Sequence, residues 1–216
     1  MPENINKPLI KSKKRKVDHG EVFTPPWLID EMICLVKDEA EQISSRFLEP
    51  ACGTGNFLKE VLIKKLTISK KKYGKSDFTL RHYALLALMS IYGIEILEDN
   101  VKECREKLIS VYKDFLGTKK NDEDISAASY VLEKNIVKAD ALSMLTEENE
   151  PIIFSEWAYI GKGSYQRRDF RFDILTHASS FSKKDSLFAD LGKHEIFLPI
   201  KTYKPMSISS LAKENS

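Results

Sequence analysis

The sequence predicts an α/β fold, a mostly parallel sheet with flanking helices, on three observations. Three short apolar runs each end in an acid: Phe47-Leu48-Glu49, Ser90-Ile91-Tyr92-Gly93-Ile94-Glu95 and Asn135-Ile136-Val137-Lys138-Ala139-Asp140. Segments with apolar residues at helical spacing separate them, and strands that alternate with helices pair in parallel through right-handed crossovers. Between the first strand and its helix lies Pro50-Ala51-Cys52-Gly53-Thr54-Gly55-Asn56-Phe57, a tight bend of small residues. At 216 residues, 42% of them hydrophobic, the chain is long enough for one such domain and short for two.

Charge and cysteine usage narrow the classes. A net charge of +2 gives no overall pull on nucleic acid, so any basic surface must come from local clustering. Cys34, Cys52 and Cys104 are odd in number and widely spaced, which argues against a disulfide framework or a structural zinc site and fits a reducing cytoplasm. No apolar run approaches the length of a membrane span, and the basic N-terminus lacks a signal-peptide core, so no membrane partner is expected.

Taken in order, residues 1–17 carry Lys11, Lys13, Lys14, Arg15 and Lys16 close together. They read as a flexible basic arm, either simply solvated or contacting phosphates. The main domain is expected over 18–200 and a flexible tail over 201–216. Leu28, Ile29, Met32, Ile33 and Val36 form a helical pattern, with Thr24 as its N-cap and Pro25-Pro26 at its entry. Leu58, Val61, Leu62 and Leu66 give the next helical face, followed by a basic loop over 69–76 and a second apolar helix from Leu80 to Met89. Val101, Cys104, Leu108, Val111 and Phe115 mark a long helix that Gly117 stops, ahead of a charged loop over 119–124. Past the third strand, Ile152 to Trp157 reads as a strand and Tyr159 to Arg168 as a polar loop. Phe170 to Leu175 alternates like a half-buried strand, and Glu195 to Ile200 precedes the tail.

The central bend carries the chemistry. Gly53 and Gly55 remove the Cβ that would hold the backbone away from a ligand and tolerate the left-handed φ of such a turn. The N–H groups opening the next helix would face the cleft above the strand end, where open α/β sheets bind ligands. Parallel pairing brings Glu49, Glu95 and Asp140 to one edge of the sheet. A carboxylate ending the second strand can accept from both hydroxyls of a ribose, which suits Glu95, with Ile96 as an apolar platform for a base. Asp140 can accept from an exocyclic amine. Glu49 can balance a cationic ligand or hold the glycine loop through backbone N–H groups.

These residues resemble a known family, the adenine-N6-specific DNA methyltransferases, above all modification subunits of bacterial restriction-modification systems. The resemblance rests on Gly20-Glu21-Val22-Phe23-Thr24-Pro25, on Leu48 to Phe57, on Gly93-Ile94-Glu95-Ile96 and, more loosely, on Lys138-Ala139-Asp140-Ala141, and covers about residues 18–145. It implies a Rossmann-like methyltransferase domain with S-adenosylmethionine as cofactor. By the same resemblance Phe23 and Thr24 lie against the methionine portion, and Glu49, Pro50, Ala51, Cys52, Gly53, Thr54, Gly55, Asn56 and Phe57 form the cradle. Glu95 takes the ribose hydroxyls, Ile96 packs on adenine, and Asp140, with Ala141 beside it, meets the adenine amino group. The implied partners are DNA and a specificity or restriction subunit, or a second chain completing the fold. No metal is expected, because a sulfonium leaving group needs none and the enzyme mainly supplies positioning.

The family's catalytic Asn/Asp-Pro-Pro-Tyr/Phe motif, whose aromatic ring stacks on a flipped base, is missing. Where it would fall the chain reads Thr176-His177-Ala178-Ser179-Ser180-Phe181. Thr24-Pro25-Pro26-Trp27 mimics it only superficially, since threonine lacks the amide or carboxylate acceptor and the position matches the cofactor segment. Asp173 and His177 are the remaining polar candidates. The expected function is therefore a cofactor-binding, DNA methyltransferase-like protein with its catalytic residues unassigned and its sheet short of later strands, as in a fragment. The alternatives are a non-catalytic cofactor- or DNA-binding subunit that needs a partner chain, and a methyltransferase acting on a protein or small molecule.

Overall fold

The computed structural model describes residues 11–19, 21–22, 24–117, 121–181 and 198–214. Its strands form two sheets. In the first, β1 (Phe47–Glu49), β2 (Ile91–Glu95) and β3 (Ile136–Asp140) run parallel in that order, and β4 (Leu145–Thr146) turns back antiparallel to β3. In the second, β5 (Ile153–Gly161) and β6 (Ser164–Arg171) form an antiparallel hairpin that β7 (Lys201–Thr202) and β8 (Met206–Ser207) extend along β6. The molecule is α/β, with parallel and antiparallel strands and helices flanking them.

Helices α4 (Asn56–Tyr73), α5 (Asp77–Met89), α6 (Glu98–Leu116) and α7 (Asp122–Asn135) all contact β2, the central strand. Every residue of β2 is buried, as a strand covered on both faces requires. One core packs Leu58, Leu62 and Leu66 of α4 and Leu85 and Leu88 of α5 against Ile91 and Ile136. Burial of each such side chain stabilises by about 1.5–3 kcal/mol. On α6 the spacing Val101, Cys104, Leu108, Tyr112 is the buried stripe, while Val111 and Phe115 are half-buried. A second, smaller core joins Tyr92, Ile94 and Ala139 on the opposite sheet face to Ile152, Phe154 and Phe172.

The two sheets are tied together at Asn135. Its Nδ2 donates to the carbonyls of Met89 and Ile91, and its Oδ1 accepts from Trp157 Nε1 at 2.9 Å. The hairpin also holds a buried polar knot: Asp169 accepts from Ser155 Oγ and Tyr203 Oη and from both Nε and Nη2 of Arg167. A buried ion pair is tolerated only when such bonds satisfy it.

Several expectations need correction. Thr24 does not cap the helix after it: α2 (Pro26–Leu35) has Pro25 as N-cap without a side-chain bond, and the short α3 (Lys37–Ala40) follows. The basic loop over 69–76 is helical through Tyr73, where lysines favour a helix C-terminus. Of the charged loop expected over 119–124, Asn121 is the N-cap of α7 and Asp122, Glu123 and Asp124 are its first turn. Asn121 Oδ1 accepts from Asp124 N while Asp124 accepts from Asn121 N, a capping box. The polar loop over 159–168 is the tip of the β5–β6 hairpin, turning at Gly161-Lys162-Gly163 with positive φ throughout. The strand over 170–175 ends at Arg171, and Phe172 opens α8 (Phe172–Phe181). The tail is not frayed over its described part, because α9 (Ile208–Lys213) buries Ile208, Leu211 and Ala212 and packs on α7. In the arm, Lys13–His19 form a helix, α1. Glu195, Ile196 and Phe197 lie outside the described residues.

Candidate functional site

The parallel register sets Glu49 opposite Gly93 and Glu95 opposite Lys138, so β1, β2 and β3 end on one edge. The chain leaves β1 through Cys52, whose N–H donates to Ile94 O on the neighbouring strand. It then bends at Gly53 (φ 52°) and Gly55 (φ 76°), the latter capping α4. Gly55 admits no side chain, since a Cβ there would lie 2.4 Å from Cys104 Sγ on α6. Gly93 is constrained likewise, with Cys52 Sγ 2.8 Å from where its Cβ would stand. These two contacts pull the loop flush against β2 and α6. The Cys52 and Cys104 thiols meet beneath it, and their contact together with burial pushes the Cys52 thiol well above its ordinary range.

Glu95 joins the loop to the next helix. Its Oε2 accepts from Gly53 N and its Oε1 from Leu97 N, each at 2.9 Å. A carboxylate has about four acceptor positions, so two remain for incoming hydroxyls. Ile96, 55% exposed, follows directly and offers an apolar surface at the same strand end. Glu49 is half-buried, and burial raises its carboxyl above the ordinary range despite a bond from Ala51 N. Asp140 engages its own turn, accepting from Leu142 N at 2.9 Å, which holds its carboxyl below the ordinary range. Ala141 packs against the second core.

Lys107 on α6 escaped the sequence reading. Its Nζ donates to Thr54 O (2.6 Å), Thr54 Oγ1 (3.1 Å) and Asn56 Oδ1 (2.7 Å), clamping the loop from behind. Phe57 is half-buried against the main core, and Pro50 and Ala51 are exposed at the rim.

The N-terminal segment docks on the start of α6, the helix that follows β2. Glu21, nearly buried, accepts from Asn100 Nδ2 at 2.7 Å and from Arg15 Nε and Nη2, both at 2.8 Å. Burial works against the charge, but these bonds hold the Glu21 carboxyl below its ordinary range. Arg15 also pairs with Asp99, and Lys11 with Asp99 and Glu103, so arm cations meet acids at the start of α6. Thr24 is half-buried in the same segment, and Phe23 lies outside the described residues.

The remaining polar candidate, Asp173, is not part of the cluster. It sits in the first turn of α8, where Arg171 at 2.6 Å holds its carboxyl below the ordinary range. His177 lies further along α8, on a helix rather than at a strand end.

Among the described residues no group of three or more His, Cys, Asp or Glu is placed to hold a metal ion, and no helix is long and apolar enough to cross a membrane. Compared with known proteins, the chain matches no family model, and no curated protein or solved structure is detectably similar to it.

Proposed function

We propose that this chain binds S-adenosylmethionine above the ends of β1, β2 and β3 in a Rossmann-like methyltransferase domain, and that it serves adenine-N6 methylation of DNA in a restriction-modification type system. The observation that carries the reading is Glu95, whose two oxygens bridge Gly53 N and Leu97 N and leave about two of its acceptor positions unused. The residues fit the cofactor in chemistry: Glu95 would accept from the ribose hydroxyls, Ile96 would lie under the base, and the Gly53–Gly55 backbone would approach the amino-acid portion. Asp140 would take the exocyclic amine only by sharing the carboxylate that Leu142 N already uses. Lys107 would keep the loop in its ligand-ready shape. When bound, the cofactor supplies an activated methyl group, and the chain's part is to position it.

Incubation of the pure chain with tritiated S-adenosylmethionine and adenine-containing duplex DNA tests the activity, and label in the DNA is the expected result. Saturable cofactor binding without label would instead favour a second reading, a subunit that needs a partner chain. One observation supports that alternative. Among the described residues β1 pairs only with β2, which leaves its outer edge free where another strand could add.

A further inference from the structure

A cavity of about 560 Å³ lies on the face of the first sheet that carries Leu48 and Tyr92. The period-2 alternation of the β5–β6 hairpin builds its far wall. Phe154 pairs with Phe170 and Glu156 with Arg168 across the two strands, so both pairs face the same way. Phe172, at the start of α8, completes an aromatic lining, with Tyr92 and Phe172 each edge-on to Phe154. The volume lies within the range of sites that hold small molecules, about 300–1,000 Å³.

The polar groups stand at one rim. Arg46 Nη1 and Arg168 Nη2 lie 2.7 and 2.6 Å from the two oxygens of Glu156. Two guanidiniums share one carboxylate, so a positive charge is left over. Each guanidinium has five N–H donors, so most stay available for an anion, and the planar fork matches a phosphate. Arg46 is 61% exposed on its side chain and Arg168 43%, which leaves both reachable from solvent.

We infer that this cavity is a nucleotide subsite: a planar base stacks among Phe154, Phe170 and Phe172 while its phosphate sits on Arg46 and Arg168. The ligand chemistry is a flat ring joined to a single acidic group, from a free mononucleotide or from one residue of a single strand. The walls are mostly apolar, so stacking sets the affinity and base identity matters little. The site uses neither Glu95 nor the glycine loop and stands independently of the cofactor reading.

Thymidine 5′-monophosphate, thymidine and an oligothymidylate, each titrated into the full chain by calorimetry, test it. Thymine is chosen because an adenine nucleotide could also enter the cleft at Glu95. The monophosphate is expected to bind, with thymidine about tenfold weaker for want of the phosphate bonds. Arg46→Ala and Phe170→Ala are each expected to weaken the monophosphate about tenfold, and millimolar S-adenosylmethionine to leave its binding unchanged. Tighter binding of the oligothymidylate assigns the site to a strand, and equal or weaker binding assigns it to the free nucleotide. Absence of binding by both phosphorylated probes at millimolar concentration overturns the proposal. So does equal binding of thymidine and its monophosphate, or displacement of the monophosphate by S-adenosylmethionine.

Discussion

At the scale of single residues, two positions carry the most strain against change. Gly55 has a left-handed φ of 76°, and a Cβ there would meet Cys104 Sγ at 2.4 Å. Gly55→Ala is expected to cost about 2–4 kcal/mol, from roughly 1–2 for the backbone and a similar amount for overpacking. Adding Cys104→Ala should recover the packing part and leave the backbone part, which denaturant midpoints of the single and double variants measure. Lys65 is the second position. Its Nζ is buried on α4 and donates to Gln42 O, Ile43 O and Ser45 O at 2.5–3.0 Å, holding the entry to β1. Lys65→Met would orphan three carbonyls and is expected to destabilise by about 1–3 kcal/mol. Burial lowers the Lys65 ammonium from 10.5 to about 7. The folded chain is then the poorer proton binder between those values, so unfolding free energy rises with pH across that window. Lys65→Met should lack that component of the rise, as melts at several pH values will show. The place of Glu95 at the end of β2 was legible in the sequence because an apolar run that closes on an acid reads as a strand end. Lys107 was not, because a lysine on an amphipathic helix looks the same whether it meets water or a loop carbonyl.

At the scale of elements, the parallel strands, their helices and the strand from Ile152 to Trp157 were legible, while the hairpin that this strand forms was not. Residues 159–168 read as a loop because Arg167 and Arg168 are charged beside Gly161 and Gly163, yet Arg167 faces inward onto Asp169, which Tyr203 and Ser155 also bond. Local polarity cannot report a partner more than thirty positions away, as Tyr203 is from Asp169. The docking of residues 11–19 was hidden for the same reason, since Lys11 and Arg15 find Asp99 and Glu103 on α6. Docking of α1 should therefore depend on pH. Bonds from Arg15, reinforced by Lys11 against a smaller cost of burial, lower the Asp99 carboxyl from 3.8 to about 2. A depressed folded value means that its contribution is present above about pH 4 and fades as pH falls toward 2. Protection factors over Lys13–His19, taken against intrinsic exchange at each pH, should fall in that interval, and Asp99→Asn should show fast exchange already at neutral pH. Slow exchange in that variant would show that the ion pairs do not hold α1.

At the scale of the whole molecule, the described chain is a parallel three-strand unit with Glu49, Glu95 and Asp140 at its carboxyl edge, braced by an antiparallel hairpin that packs into both cores. Asn135 is the joint, bonding α5, β2 and Trp157 at once. Asn135→Leu should lower stability by about 1–3 kcal/mol through the carbonyls and indole it leaves unpaired. Near-ultraviolet dichroism and denaturant melts would register the change at Trp157. The most direct measurement of the central claim is calorimetric titration of the pure chain with S-adenosylmethionine, beside Glu95→Ala. The account predicts saturable binding that weakens at least about tenfold in the variant, the value of one charged hydrogen-bond set. No heat at millimolar cofactor, or equal affinity with and without the Glu95 carboxylate, would contradict it.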